Sequence, residues 1–206
     1  MHGAHEWITK TAQAEVGGVL LLHPTVGPSM PDDVDAITRV RAIHDLFHAS
    51  YDAQRALLAT VPLPMWMAGP REALHHAIVR RNHGADHLIV GRDHAGPGRA
   101  RSGRPFFAPE AAQQLVAAHE GETGVTAVPF GEVVYLADAG RYERAERVPA
   151  GTPTRSLSGT EVRAHLSAGR ALPAWFTRPE TAVVLAASRP PSPDDGVCVW
   201  FTGLPA

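Results

Sequence analysis

Short apolar runs closed by glycine or proline alternate along this chain with stretches whose apolar residues recur every three or four positions. That alternation constrains the fold more than any other feature. A helical pattern covers residues 3–14. Residues 16–22 form an apolar run that ends at His23-Pro24, and its length and flanking glycines predict a buried parallel strand. From Asp33 onward Val34, Ile37, Val40, Phe47 and Tyr51 mark one face of an amphipathic helix, with Asp32 and Asp33 near its positive end. Residues 56–63 read as a second strand, 71–82 as a helix stopped by Gly84, and 87–90 as a third strand. The pattern predicts an α/β fold with a parallel sheet and helices on both faces. Ligands of such a fold sit in the crevice beyond the carboxyl ends of the strands.

Further on, residues 109–118 read as a helix. Residues 125–128 and 133–136 read as short strands, broken by Pro129 and Gly131. The texture changes after Gly140. Ser158 and Glu161 have the spacing of a capping box for a short helix that Gly169 stops, and Arg178-Pro179-Glu180 opens a last helix. Residues 188–195, SRPPSPDD, have the composition of a linker, and the strand-like run VCVWFT follows. The expected organisation is a domain over 1–140, a small C-terminal α subdomain over 141–187, a linker over 188–195, and the start of another domain over 196–206.

Nineteen Lys and Arg against 21 Asp and Glu give a formal charge of -2, which removes a broad electrostatic grip on nucleic acid. Any polyanion must therefore be held locally. Cys198 is the sole cysteine, so neither an intramolecular disulfide nor a cysteine zinc cluster can form. No apolar run reaches the length of a membrane span and no signal peptide pattern opens the sequence, so a soluble, cytoplasmic chain is expected.

The densest chemistry lies in LIVGRDHAGPG, where an apolar strand enters a glycine-rich loop carrying Gly91, Arg92, Asp93, His94 and Ala95. Backbone amides and one guanidinium converging at a strand end suit an anion, whereas the plainer reading is a tight turn with an Arg92–Asp93 surface ion pair. Met67-Ala68-Gly69-Pro70-Arg71-Glu72 opens a helix, and Glu72 reads as an ordinary first-turn acid. His2 and His5 stand at i and i+3 on the first helix. They suit phosphate better than metal, because no third ligand is spaced to join them, and no metal site is expected. His75-His76 on the next helix reads as packing only.

Taken in order, His2-x-x-His5-Glu6, LLLHPTVG, MAGPREALHHAIVRRNHGADH, LIVGRDHAGPG, VPFGEVVY and SLSGTEVRAHLSAGRALPAWFTRPE resemble the ATP sulfurylase (sulfate adenylyltransferase) family. The resemblance covers about 180 residues. It implies a Rossmann-like nucleotidyltransferase fold of the HUP class, and a reaction in which ATP and sulfate give adenylylsulfate and pyrophosphate. Under it, His2 and His5 stabilise the charge of departing pyrophosphate. Gly91, Arg92, Asp93 and His94 hold ATP, Val133 contacts adenine, and the Ala95 amide meets sulfate. Mg2+ arrives as MgATP, and a homo-oligomer is allowed. The family's Gln-x-Arg-Asn-Pro strand end, which precedes the HxxH helix, has no counterpart in this sequence, so the first strand of the sheet is expected to be missing. The terminal VCVWFTGLPA resembles the opening of an adenylylsulfate kinase, cut before the Gly-Lys of its phosphate loop. The expectation is a piece of a bifunctional chain that is unstable and inactive by itself; the alternatives are a noncatalytic nucleotide-binding remnant, or another HxxH nucleotidyltransferase of the same fold, which would lack the GRDHAGPG loop.

Overall fold

A computed structural model describes residues 1–28 and 34–187. The expected linker, the run VCVWFT, Asp32 and Asp33 lie outside the described residues.

The first helix, α1 (Gly3–Val16), is longer than the pattern suggested, and β1 (Leu20–Leu22) is correspondingly shorter. Gly17, in the left-handed conformation with its amide bonded to the Gln13 carbonyl, ends the helix and leaves only three residues for pairing. Helix α2 (Ala36–Ser50) is capped by Asp35, whose side chain accepts from the Thr38 amide. Strand β2 (Ala56–Leu58) pairs parallel to β1 with Leu20 opposite Ala56. The rest of its predicted length survives only as a bridge between Thr25 and Val61. Helix α3 (Pro70–Asn82) leads to β3 (His87–Gly91). Helices α4 (Ala111–Ala118) and α5 (Glu120–Thr123) precede β4 (Thr126–Phe130), which pairs parallel to β3 with Gly91 opposite Phe130. Pro129 does not break β4, because β4 pairs along one side only and the missing N–H can lie on the unpaired edge.

The molecule is α/β with parallel strand pairs, yet the single parallel sheet expected from sequence is not formed. β1–β2 and β3–β4 are separate pairs, and no hydrogen-bonded strand joins them among the described residues. A groove of about 510 Å³ lies between them, lined by Leu20, Leu21, Leu57, Leu88, Ile89 and Val128. A third, antiparallel sheet was not anticipated: β5 (Val133–Leu136) lies between β6 (Arg141–Arg144) and β7 (Thr154–Arg155). Its hairpin spans both sides of residue 140. Helices α6 (Gly159–Ser167), with its capping box, and α7 (Pro179–Ala187) complete the described chain.

Each parallel pair has its own core. Ala73 and Ala77 of α3 let it close onto Ala112 and Val116 of α4, over Val90 and Val125. Burying such side chains contributes about 1.5–3 kcal/mol for each valine-sized group. Ile43 and Phe47 of α2 cover Leu20, Leu22 and Ala56, with Met1 and Ile89 packed alongside.

Backbone contacts bring the carboxyl ends of the strands to one edge. Thr25 beyond β1 bridges Val61 beyond β2, the Met65 amide donates to the Pro28 carbonyl at 3.2 Å, and the Gly69 amide donates to the Ala95 carbonyl at 2.7 Å. The start of α3 and the loop after β3 thus touch. Helix α1, about 20 Å long, leads through residues 17–19 into the start of β1, and Met1, ahead of the helix, packs against the β1–β2 core.

Candidate functional site

The two loops that meet on this edge hold three non-glycine residues in the left-handed region: Met67 (φ 56°), Asp93 (φ 54°) and Ala95 (φ 52°). Such conformations cost on the order of 1–3 kcal/mol each and collect at ligand sites. Gly69 (φ 70°, ψ -135°) lies under Phe107, where a Cβ would come within 2.5 Å of the ring. The fold therefore fixes both loops tightly against each other. A cavity of about 280 Å³ opens beside them, lined by Gly69, Arg92, His94, Gly96, Arg99 and Phe107 among others.

Gly91 ends β3, and a Cβ built on it would meet nothing, so the strand end is open to an approaching group. Arg92 donates to Asp93 at 3.1 Å and to Glu132 at 2.9 Å; all three side chains are exposed. The ion pair of the plainer sequence reading is therefore present, and exposed pairs of this kind hold a guanidinium by only about 0–1 kcal/mol. Glu132 directly precedes Val133, the first residue of β5, so Arg92 and Val133 belong to one neighbourhood. Gln113 fastens this end of the strands by donating to the Val90 carbonyl at 3.0 Å and the Phe130 carbonyl at 2.9 Å.

His2 and His5 stand with ring centroids 4.0 Å apart, and His2 stacks on Phe176 at 4.5 Å. The His2 amide donates to Nδ1 of His5 at 3.4 Å, which assigns the proton of neutral His5 to Nε2. Burial, helped by His5 and the Met1 ammonium, holds His2 down at about 2; burial and the same ammonium hold His5 down at about 4. Both rings are neutral at pH 7. The segment after α6 clamps this helix start: Gly3 donates to the Phe176 carbonyl at 2.7 Å, and Arg178 forks onto Glu6 at 2.9 and 3.0 Å.

Among the described residues no hydrogen bond, ion pair or ring contact joins His2 or His5 to residues 91–95. The link is indirect: Trp7 of α1 meets the Phe130 ring edge-on at 6.3 Å, and Phe130 is the partner of Gly91.

Sequence reasoning missed Glu72 and His76, read as a helix-start acid and a packing residue. Both are buried, and His76 Nδ1 lies 3.2 Å from His94 Nε2. The signal was legible as polar residues at 72, 76 and 80, which share one face of α3 with Ala73 and Ala77. Gln113, Phe130 and Phe176 gave no such signal, because their roles depend on which strand end or helix they meet.

Among the described residues, no helix is long and apolar enough to cross a membrane. The family model described as ATP-sulfurylase matches residues 1–188. A sulfate adenylyltransferase of Neurospora crassa is 45% identical over 205 residues, covering all of this chain and 36% of that protein. One of Schizosaccharomyces pombe is 45% identical over 196 residues, covering 95% of this chain and 40% of that protein. The chain thus spans about two fifths or less of the length of these curated relatives. A solved structure titled hexameric APS kinase from Thiobacillus denitrificans aligns with a TM-score of 0.70 at 28% identity, covering 91% of this chain and 34% of that one. With its family model matched from residue 1 through residue 188, this chain belongs to the ATP-sulfurylase family.

Proposed function

We propose that the edge formed by the ends of β1, β3 and β4 is the nucleotide site of a sulfate adenylyltransferase, joining ATP and sulfate into adenylylsulfate with release of pyrophosphate. What supports the reading is that the GRDHAGPG loop and the start of α3, two segments of the family match, are bonded to each other beyond β3, and that α1 approaches them through Trp7 and Phe130. A sulfate oxygen attacks the α-phosphorus in line, and the bond to the bridging oxygen of pyrophosphate breaks. Sulfate is already fully ionised, so the protein's tasks are positioning and charge stabilisation, with no general base required. Gly91 leaves room for the phosphates, and Arg92 leaves weak exposed partners to meet them. Asp93 and His94 complete the loop around the nucleotide. The Ala95 amide, without an acceptor among the described residues, meets sulfate, and Val133 lies against adenine. His2 and His5 act as neutral N–H donors to the departing pyrophosphate, with His5 Nε2–H the donor that its tautomer supplies. Mg2+ enters bound to ATP and belongs to the substrate.

The same proposal assigns a Rossmann-like fold of the HUP class. The groove between β1 and β3 then takes a central strand leading into α1, giving the order β2–β1–strand–β3–β4. Arg80 Nη1, buried at this groove without a hydrogen-bond partner among the described residues, suits the carbonyls such a strand would bring. Under this proposal residues 1–140 are the nucleotidyltransferase domain, 141–187 a subdomain, 188–195 a linker and 196–206 the start of an adenylylsulfate kinase; the APS kinase title of the aligned structure fits the last of these alone. Homo-oligomers are compatible with that title.

The test is calorimetric and enzymatic. ATP binds the 206-residue chain, and Arg92→Ala weakens it about tenfold, on the order of 1.4 kcal/mol. When an upstream segment of the relatives' length is joined to these residues, molybdate drives continuous formation of AMP and pyrophosphate from ATP. Absence of ATP binding, or of molybdate-dependent turnover in the longer chain, overturns the assignment.

A further inference from the structure

The buried face of α3 carries a carboxylate and an imidazole where apolar side chains would cost less. Glu72 and His76 are each 3% exposed. Polar groups so placed are retained when a specific arrangement of hydrogen bonds needs them. Both Glu72 oxygens accept from the backbone, Oε1 from Trp66 N–H at 2.9 Å and Oε2 from Ala68 N–H at 2.7 Å. Those amides belong to the loop that carries Met67 and Gly69. Glu72 Oε1 lies 3.5 Å from His76 Nε2, a buried nitrogen that makes no hydrogen bond among the described residues, and His76 Nδ1 lies 3.2 Å from His94 Nε2. His94 sits between the left-handed Asp93 and Ala95, and the Ala95 carbonyl accepts from Gly69 N–H at 2.7 Å. The contacts form a closed ring that starts and ends in the 66–69 loop, passing through Glu72, His76 and the strained turn.

The ring has a direction. Glu72 accepts two backbone N–H groups, the pattern of an ionised carboxylate, so it presents only lone pairs to His76. The proton of neutral His76 therefore belongs on Nε2, facing the carboxylate, and Nδ1 becomes an acceptor. That acceptor requires a proton on His94 Nε2, which leaves His94 Nδ1 with its lone pair. Burial, and after it the charge of Arg80, keep both rings neutral, with His76 held at about 3.

We propose that Glu72 and His76 are positioning residues, which fix His94 as its Nε2–H tautomer and so present Nδ1 as an acceptor for a hydrogen-bond donor on the nucleoside part of the ligand. His94 then reads the nucleoside and does not donate to phosphate. This rests on the nucleotide-binding reading for the identity of the ligand; the tautomer itself does not.

The experiment uses the 206-residue chain with 15N-labelled histidine. Long-range 15N–1H spectra of the unliganded protein show His76 and His94 both protonated at Nε2. In Glu72→Leu the carboxylate facing His76 Nε2 is gone, and both histidines show mixed Nε2–H and Nδ1–H forms. Calorimetry with ATP and with inorganic triphosphate supplies the second readout. His76→Phe, close to isosteric, weakens ATP about tenfold and leaves triphosphate within twofold, and it has no further effect in a His94→Ala background. His94 found as Nδ1–H in the unmodified chain, a tautomer indifferent to Glu72→Leu, equal losses for ATP and triphosphate, or additive losses in the double variant each overturn the proposal. A chain that binds neither probe refutes the nucleotide reading, and the spectra still decide whether the ring is directional.

Discussion

Gly69 shows most clearly what one residue does for the candidate site. Its φ of 70° with ψ of -135° lies in a region that only glycine occupies at low cost, and it lets the 66–69 loop turn back to donate to Ala95. Gly69→Ala is expected to destabilise the protein by about 2 kcal/mol through backbone strain, the Phe107 ring being exposed enough to move aside. Urea unfolding checks this, and pairing the change with Phe107→Ala separates the two parts: the backbone loss must survive removal of the ring. A loss that vanishes in the double variant would locate the strain in packing instead. At this scale the sequence displayed Gly91, Arg92 and His94 as one cluster and Gly69 in another, because glycine and charge at a strand end or helix start are visible in the string. It did not display which of Arg92's acids would hold it, since Glu132 is 40 positions away.

Helices place these residues, and here local rules were a good guide. The Ser158–Glu161 capping box and the Gly84 stop are fixed by neighbouring residues and appear where their signals stand. Helices α1 and α3 also bring the site's histidines into surroundings that disfavour their charged forms. For His76, burial and then Arg80, His94 and His75 lower the value from 6.5 to about 3. The sign follows from linkage: between these values the unfolded chain binds the proton and the folded chain does not, so stability is complete above about pH 6.5 and is lost as pH falls toward 3. His76 alone lowers stability by about 1.4 kcal/mol for each pH unit below 6.5, and His2 and His5 act in the same direction. Urea midpoints measured from pH 7.5 to 5 will fall with acid, and His76→Phe will flatten the slope by about one proton. An unchanged slope would mean that the ring is not held neutral by the fold.

Over the whole molecule the decisive feature is the division into two parallel pairs. β1 and β3 each present an edge with no strand partner among the described residues, and the groove between them is lined by Leu20, Leu21, Leu88 and Ile89 together with His23 and Arg80. Unsatisfied backbone groups at such edges cost on the order of 1–3 kcal/mol apiece when removed from water, against a total domain stability of about 5–15 kcal/mol. The 206-residue chain is therefore expected to unfold below about 60 °C, with rapid hydrogen exchange at the groove-facing amides of β1 and β3. A cooperative transition above that temperature, or slow exchange at both edges, would show that the groove is already satisfied.

By itself the sequence determined the order of helices and strands, the turn chemistry and the family, because propensity, capping and apolar period are properties of neighbouring residues. It misjudged the lengths of β1 and β2, the passage of β4 through Pro129, and the β6–β5–β7 sheet, because strand pairing is settled by partners distant in the chain. Only the tertiary structure decided that Glu72 and His76, unremarkable on a helix, would lie against His94. A hydrogen bond between α3 and the loop after β3 exists only once Ala73 and Ala77 have let α3 close onto Val90 and Val116.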